Sequence, residues 1–272
     1  MSSGVLVARD QVAARTLGAQ ETAGDTTDYG FDVVAVTARP LNGGAADFIA
    51  YEKVRFHGTG EEKNIVELYH RDGRAALWKA VDRVYIADNI DLPALQLDTM
   101  GGGHLLSADE MTAQNIAQPE DLARRYATAV SVKTGSERLP AGSFQLGQFT
   151  SGEVTQAVDN AVVLSGVGTF SRQWEPHPGG EVVALMDGVL EFGYLGAVQV
   201  RHDISEGTIR YFMAQDQKRV NFGGLLAPGM YSDVTIASTV TVAVVVRPEA
   251  LADVVGRDEQ VLSAQGQLSP AP

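Results

Sequence analysis

Two Asp-Gly dipeptides, Asp72-Gly73 and Asp187-Gly188, each stand between segments rich in Val, Ile, Leu, Tyr and Phe. Glycine supplies the positive φ of a tight turn, and β-branched and aromatic residues suit pleated, half-buried backbone, so each dipeptide predicts an antiparallel hairpin. The second hairpin is the sharper one: residues 181–186 are apolar after the leading Glu181, and residues 189–192 return with alternating character. Further strands are predicted over residues 31–37, 48–56, 64–69, 75–80 and 84–87. Residues 92–97 suit only a sheet edge or a strand start, because Pro93 has no N–H to give to a ladder.

Between the β-rich stretches the pattern changes. Ser107 and Glu110 have the spacing of a capping box, in which each side chain satisfies an unpaired backbone donor at a helix start. A second helix is predicted from Pro119, followed by Glu120 and Asp121, to about Thr128. Beyond residue 140 short strand candidates recur to Val246, and the last residues turn polar and proline-containing. The expected organisation is a surface arm over 1–30, a β-rich unit with a helical connector over 31–139, a second β-rich unit over 140–250, and a tail or swapped element over 251–272. Strands do not alternate with helices, so the fold class is mainly β rather than doubly wound α/β.

Composition limits the chemistry. The 272 residues carry 21 Lys and Arg against 34 Asp and Glu, a net charge of -13 that repels phosphate backbones and anionic lipid surfaces. Nucleic acid and membranes are therefore not expected as partners. The chain has no cysteine, which removes disulfides, thiolate metal sites and thiol nucleophiles and leaves His, carboxylates and hydroxyls. No basic segment followed by an apolar run opens the sequence, and no apolar run is long enough to span a bilayer, so a cytoplasmic location is expected.

The most specific stretch is Trp174-Glu-Pro-His-Pro-Gly-Gly-Glu181, leading into the Asp187-Gly188 turn. Prolines and paired glycines resist helix and regular ladder alike, so the chain is expected to turn here while aiming His177 and Glu181. His177, three residues, Glu181, six residues and Gly188 resemble the second half of the first cupin motif, and Trp174 with the Pro-Gly-Gly turn adds to the likeness. Glu175 stands where the family has its first histidine. The stretch Gly223 to Asp233, with Pro228-Gly229, resembles the frame of the second motif, with Ser232 or Asp233 near the place of its histidine.

This resemblance covers residues 140–248 and implies a cupin-like jelly-roll barrel, with 31–139 open to reading as a degenerate second barrel joined to it by the helical segment. It implies that His177 and Glu181 are catalytic and face the barrel mouth. Trp174, Tyr231 and Asp233 would line a small-molecule ligand. Glu175, His177 and Glu181 would form a carboxylate and imidazole set suited to a divalent Fe, Mn, Ni or Zn ion. Each has a plainer reading: a turn histidine, a solvent-facing strand glutamate, a glutamate paired with Arg172, a core tryptophan.

His57, His70, His104 and His202 have no metal-ligand spacing, and Gly58-Thr-Gly60 and Gly101-Gly-Gly-His104 lack the lysine and helix of a phosphate cradle. No Gly-x-Ser-x-Gly elbow occurs. Two functions stay open: a cupin-type enzyme (isomerase, cyclase, lyase or oxygenase) acting on a small organic molecule, and a non-catalytic cupin that binds a small ligand or builds an oligomer. A homo-oligomer is expected under either.

Overall fold

A computed structural model describes residues 29–40, 46–56, 62–77, 79–87, 90, 104–203, 209–211 and 229–268. The protein is mainly β. The strands are β1 (Tyr29–Pro40), β2 (Ala46–Phe56), β3 (Glu62–Arg71), β4 (Lys79–Ile86), β5 (His104–Leu105), β6 (Gly168–Leu185), β7 (Gly188–Asp203), β8 (Ile209–Tyr211), β9 (Gly229–Val246) and β10 (Asp253–Leu268). Among the described residues they form one antiparallel sheet in the order β1-β2-β3-β4-β10-β9-β7-β6-β5, with β8 on the end of β9. The first and last strands of that order, β1 and β5, lie against each other, so the sheet is curled. Three helices, α1 (Ala108–Ala113), α2 (Pro119–Val130) and α3 (Ser151–Leu164), complete the described elements. None of the helices is long and apolar enough to cross a membrane.

Both predicted hairpins form, but not on the expected glycine turn: Gly73 and Gly188 do not take a positive φ, and Gly188 already begins β7. Residues 72–77 turn between β3 and β4, and Met186-Asp187 joins β6 to β7. The two candidates at 75–80 and 84–87 are one strand, β4, which starts only at Lys79, and Leu77 in the turn is exposed. Helix α1 begins at the expected capping box, in which the Glu110 carboxylate accepts from the Ser107 N–H at 2.7 Å. Helix α2 starts at Pro119 as expected. Residues 1–28 and 91–100 lie outside the described residues, and with them most of the expected arm and the 92–97 candidate.

Two expectations are corrected. Residues 151–164 are helix, where strands were expected: Glu153, Val154, Ala157 and Ala161 are buried at helical spacing, although valines and Gly152 hide the pattern. Residues 251–272 are no simple tail, because β10 runs through them and pairs with β9 on one side and β4 on the other. The β4–β10 pairing places strands of the expected units 31–139 and 140–250 in one sheet.

The sheet has two buried faces. On the concave side Ile49, Val66, Val84, Ile86, Val183, Leu190, Phe192, Ala243, Val245 and Val255 meet across the curl. On the convex side Leu122, Ala123 and Tyr126 of α2 and Val154 and Ala157 of α3 pack on Phe170, Trp174, Leu195, Val240, Val242 and Val244. Burial on both faces explains why the end of β9 reads as a nearly unbroken apolar run.

Strand β4 meets β10 through Gly256↔Ile86 and Arg257↔Tyr85, beside a bulge between Val254 and Gly256. A Cβ on Gly256 would come within 2.6 Å of Val84 Cγ1 and 2.9 Å of the Tyr85 carbonyl. A residue without a side chain is what so close an approach needs. Gly256→Val is expected to destabilise the fold by about 1–3 kcal/mol through overpacking, read as a lower urea midpoint.

Candidate functional site

The Pro-His-Pro-Gly-Gly stretch does not turn the chain; it is a bulge within β6. Pairing runs Pro176↔Leu195, His177↔Tyr194 and then Gly180↔Gly193. Gly179 and Gly180 have φ of +105° and +138°, and a Cβ on Gly180 would lie 2.2 Å from the Phe192 carbonyl oxygen. Beyond β6 the described ladder partners are sparse: β5 covers Val183 and Ala184, and an isolated bridge joins Arg172 to Val132. Prolines without N–H groups and a bulge suit such an edge, because they resist pairing with another chain.

Cross-strand partners in an antiparallel pair share a face. Glu175 is opposite Gly196, His177 opposite Tyr194, and Glu181 opposite Phe192. All three therefore belong to the concave side, where Phe192 is part of the core. Next along the sheet, Thr239 lies opposite Gly196 and Thr241 opposite Tyr194. The concave surface passes from an apolar interior at Leu190 and Phe192 to a polar outer stretch at Tyr194, Gly196, Thr239 and Thr241. Glu175 and His177 are exposed and Glu181 is half-buried. The His177 imidazole lies over Gly196, with Nε2 2.7 Å from the place a Cβ would take.

The other expected ligand residues are elsewhere. Trp174 faces the convex side, buried and edge-on to Tyr126 at 5.9 Å between ring centres. Tyr231 is buried with Val234, Ile236 and Val261. Asp233 pairs with His202. It lies eight residues along β9 from Thr241, about 26 Å at the usual strand rise. Ser232 donates to Asp233 at 3.3 Å. Among the described residues no three His, Asp or Glu side chains are grouped to hold a metal ion.

Trp174 instead belongs to a buried ionic cluster. The Arg172 and Arg257 guanidinium carbons lie 4.6 and 4.9 Å from its ring centre. Arg172 donates to Glu153 at 3.2 Å and to Glu259 at 2.5 Å, and Arg257 donates to the same two carboxylates. Burial pushes the Glu259 carboxyl up, but Arg172, Arg257 and a hydrogen bond from Ser238 outweigh it and hold it below the usual carboxylate range. Its contribution to stability is thus present above the ordinary carboxyl value and lost as the pH falls through the lowered one.

Two further carboxylate arrangements escaped the sequence reading. Glu191, expected on an alternating strand, is 1% exposed because α2 and the curl cover both sides of β7. His70 is held by Asp47 at Nδ1 (2.6 Å) and Asp72 at Nε2 (3.2 Å), and its hydrogen bond to Asp47, aided by Asp72, raises its pKa. The signal for Arg257 and Glu259 was available: with Val261 they repeat every second residue, as inward-facing strand residues do. Nothing local marks Glu191.

The chain matches no known protein family, no curated protein and no solved structure.

Removing the Glu153 carboxylate leaves Arg172 and Arg257 to share Glu259, with one positive charge uncompensated. Glu153→Gln is expected to cost about 3–5 kcal/mol, seen as a lower urea midpoint with an unchanged slope.

Proposed function

We propose that this protein binds a small, polyhydroxylated molecule without negative charge on the outer part of its concave face, and that it is a binding protein rather than a catalyst. The observation that carries this reading is the floor at Gly196, over which the His177 imidazole lies, with Glu175, Tyr194 and Thr239 on the same face beside it. Polar groups on one face offer donors and acceptors to hydroxyls, and Tyr194 adds an aromatic surface. The net charge of -13 disfavours an anionic ligand. The cupin resemblance enters this proposal only through His177 and Glu181.

Binding is preferred to catalysis because Glu175 and His177 are open to water. Groups that stabilise developing charge are worth most where water is excluded. The second reading, an enzyme with His177 and Glu181 as acid and base, draws on their shared face. It gains if a substrate is turned over and His177→Ala or Glu181→Gln abolishes turnover with binding intact.

The test is an NMR titration of the full chain with glucose, with inositol and with citrate as an anionic control. Signals of His177, Tyr194, Gly196 and Thr239 are expected to move with the first two only. Gly196→Val fills the floor while displacing only the end of the His177 ring, so the fold is kept. This change is expected to weaken binding tenfold or more, about 1.4 kcal/mol. Shifts confined to other residues, or undiminished affinity in Gly196→Val, would sink the reading.

A further inference from the structure

The convex face under α1 and α2 carries a group that apolar packing does not explain. Glu191 pairs with Val182 of β6 and Val244 of β9. Val182 and Val189 belong with Leu106 and Met111 to the cluster under α1, whereas Val244 belongs to the cluster under α2. The carboxyl thus sits at the seam between two apolar clusters. Its Oε2 is buried with no hydrogen-bond partner among the described residues. Native proteins satisfy nearly all such groups, so an exception calls for a reason.

Helix α2 lies close on the sheet at its start. A Cβ on Gly180 would lie 2.4 Å from Pro119 Cβ, and one on Gly193 would lie 3.3 Å from Ala123 Cβ. Glycine at these positions lets the first turns rest on backbone. The helix start has no side-chain cap at Gln118 and is held by the packing of Pro119, Leu122 and Ala123. The far half is pinned: the Tyr126 hydroxyl donates to the Phe149 carbonyl at 2.7 Å, and the Trp174 backbone N–H donates to Ser131 Oγ at 3.0 Å. The first turns are therefore the part able to lift.

We propose that Glu191 is a proton-operated latch: when protonated it lets residues 119–123 lie flat on β6 and β7, and when ionised it drives them off the sheet. Arg125 is the charged residue of α2 that acts on it. Glu120 and Asp121 pair with Arg124 on the exposed side of that helix, and Glu110 of α1 is committed to its capping box, with Asp109 exposed. The partner strands present only Val182 and Val244 at this row.

Burial pushes the Glu191 carboxyl up to about 7, against the pull of Arg125. A carboxyl raised in this way favours the docked state fully below its ordinary value. That advantage is lost as the pH climbs to the raised value and stays lost above it. With an ordinary value in the lifted state, the lifted-to-docked ratio grows roughly 70-fold between pH 5 and pH 8.

Hydrogen exchange of the full chain, corrected for the intrinsic pH dependence of exchange, reads this ratio. Protection of amides 122–126, measured against α3, is expected to fall by that factor in the wild type and to stay level in Glu191→Gln. Arg125→Met should move the fall to higher pH, a result that holds whether or not Glu191→Gln folds. Level protection in the wild type, a fall shared equally by α3, or a midpoint unmoved by Arg125→Met overturns the proposal.

Discussion

The architecture depends on seating β10 between β4 and β9. That strand closes the curl, yet it carries Arg257 and Glu259 on its convex face, and charges taken out of water cost several kcal/mol each unless paired. The cluster with Glu153 and Arg172 meets that cost and in doing so fixes α3, β6 and β10 relative to one another. Trp174, flanked by both guanidinium groups, gives the charges an aromatic surface to lie against. The four charges balance, so the cluster locks structure without adding a field of its own.

Given that lock, the two faces of the β6–β7 hairpin take different tasks. The convex face is sealed by helices, closely enough that a side chain at Gly180 would strike Pro119 and one at Gly193 would crowd Ala123. The concave face starts apolar inside the curl and ends polar and open. The same bulge at residues 178–179 serves both, since it brings Gly180 under Pro119 while keeping His177 and Glu181 on the concave side. Because the bulge takes up two residues, it keeps the alternation of faces that a regular strand would have.

Much of this was legible locally. The hairpin positions, the capping box and the Pro119 helix start were each set by neighbours a few residues apart, and local signals suffice for such features. The Pro-Gly-Gly stretch read as a turn, whereas the chain passes through as a bulged strand with Glu175, His177 and Glu181 on one face. What escaped reading was set by distant partners. The polar residues of β10 read as a solvated tail because their counter-charges, Glu153 and Arg172, lie about a hundred residues earlier. Trp174 read as a mouth residue because nothing nearby tells which side of β6 the helices cover. Glu191 looked like an outward strand residue, and only the helix laid over it makes it buried.

Glu191 and Gly196 occupy one strand five residues apart, the first beneath α2 and the second at the base of the open concave patch. The intervening backbone is hydrogen-bonded on both sides, to β6 and to β9, so it moves as part of the sheet rather than residue by residue. Lifting the start of α2 frees Gly193 on one side of this short stretch, while filling the Gly196 floor loads the other. Any free energy that passes between a proton on Glu191 and an occupant above Gly196 must act equally in both directions. The strand that carries both groups is the physical element through which such coupling would run.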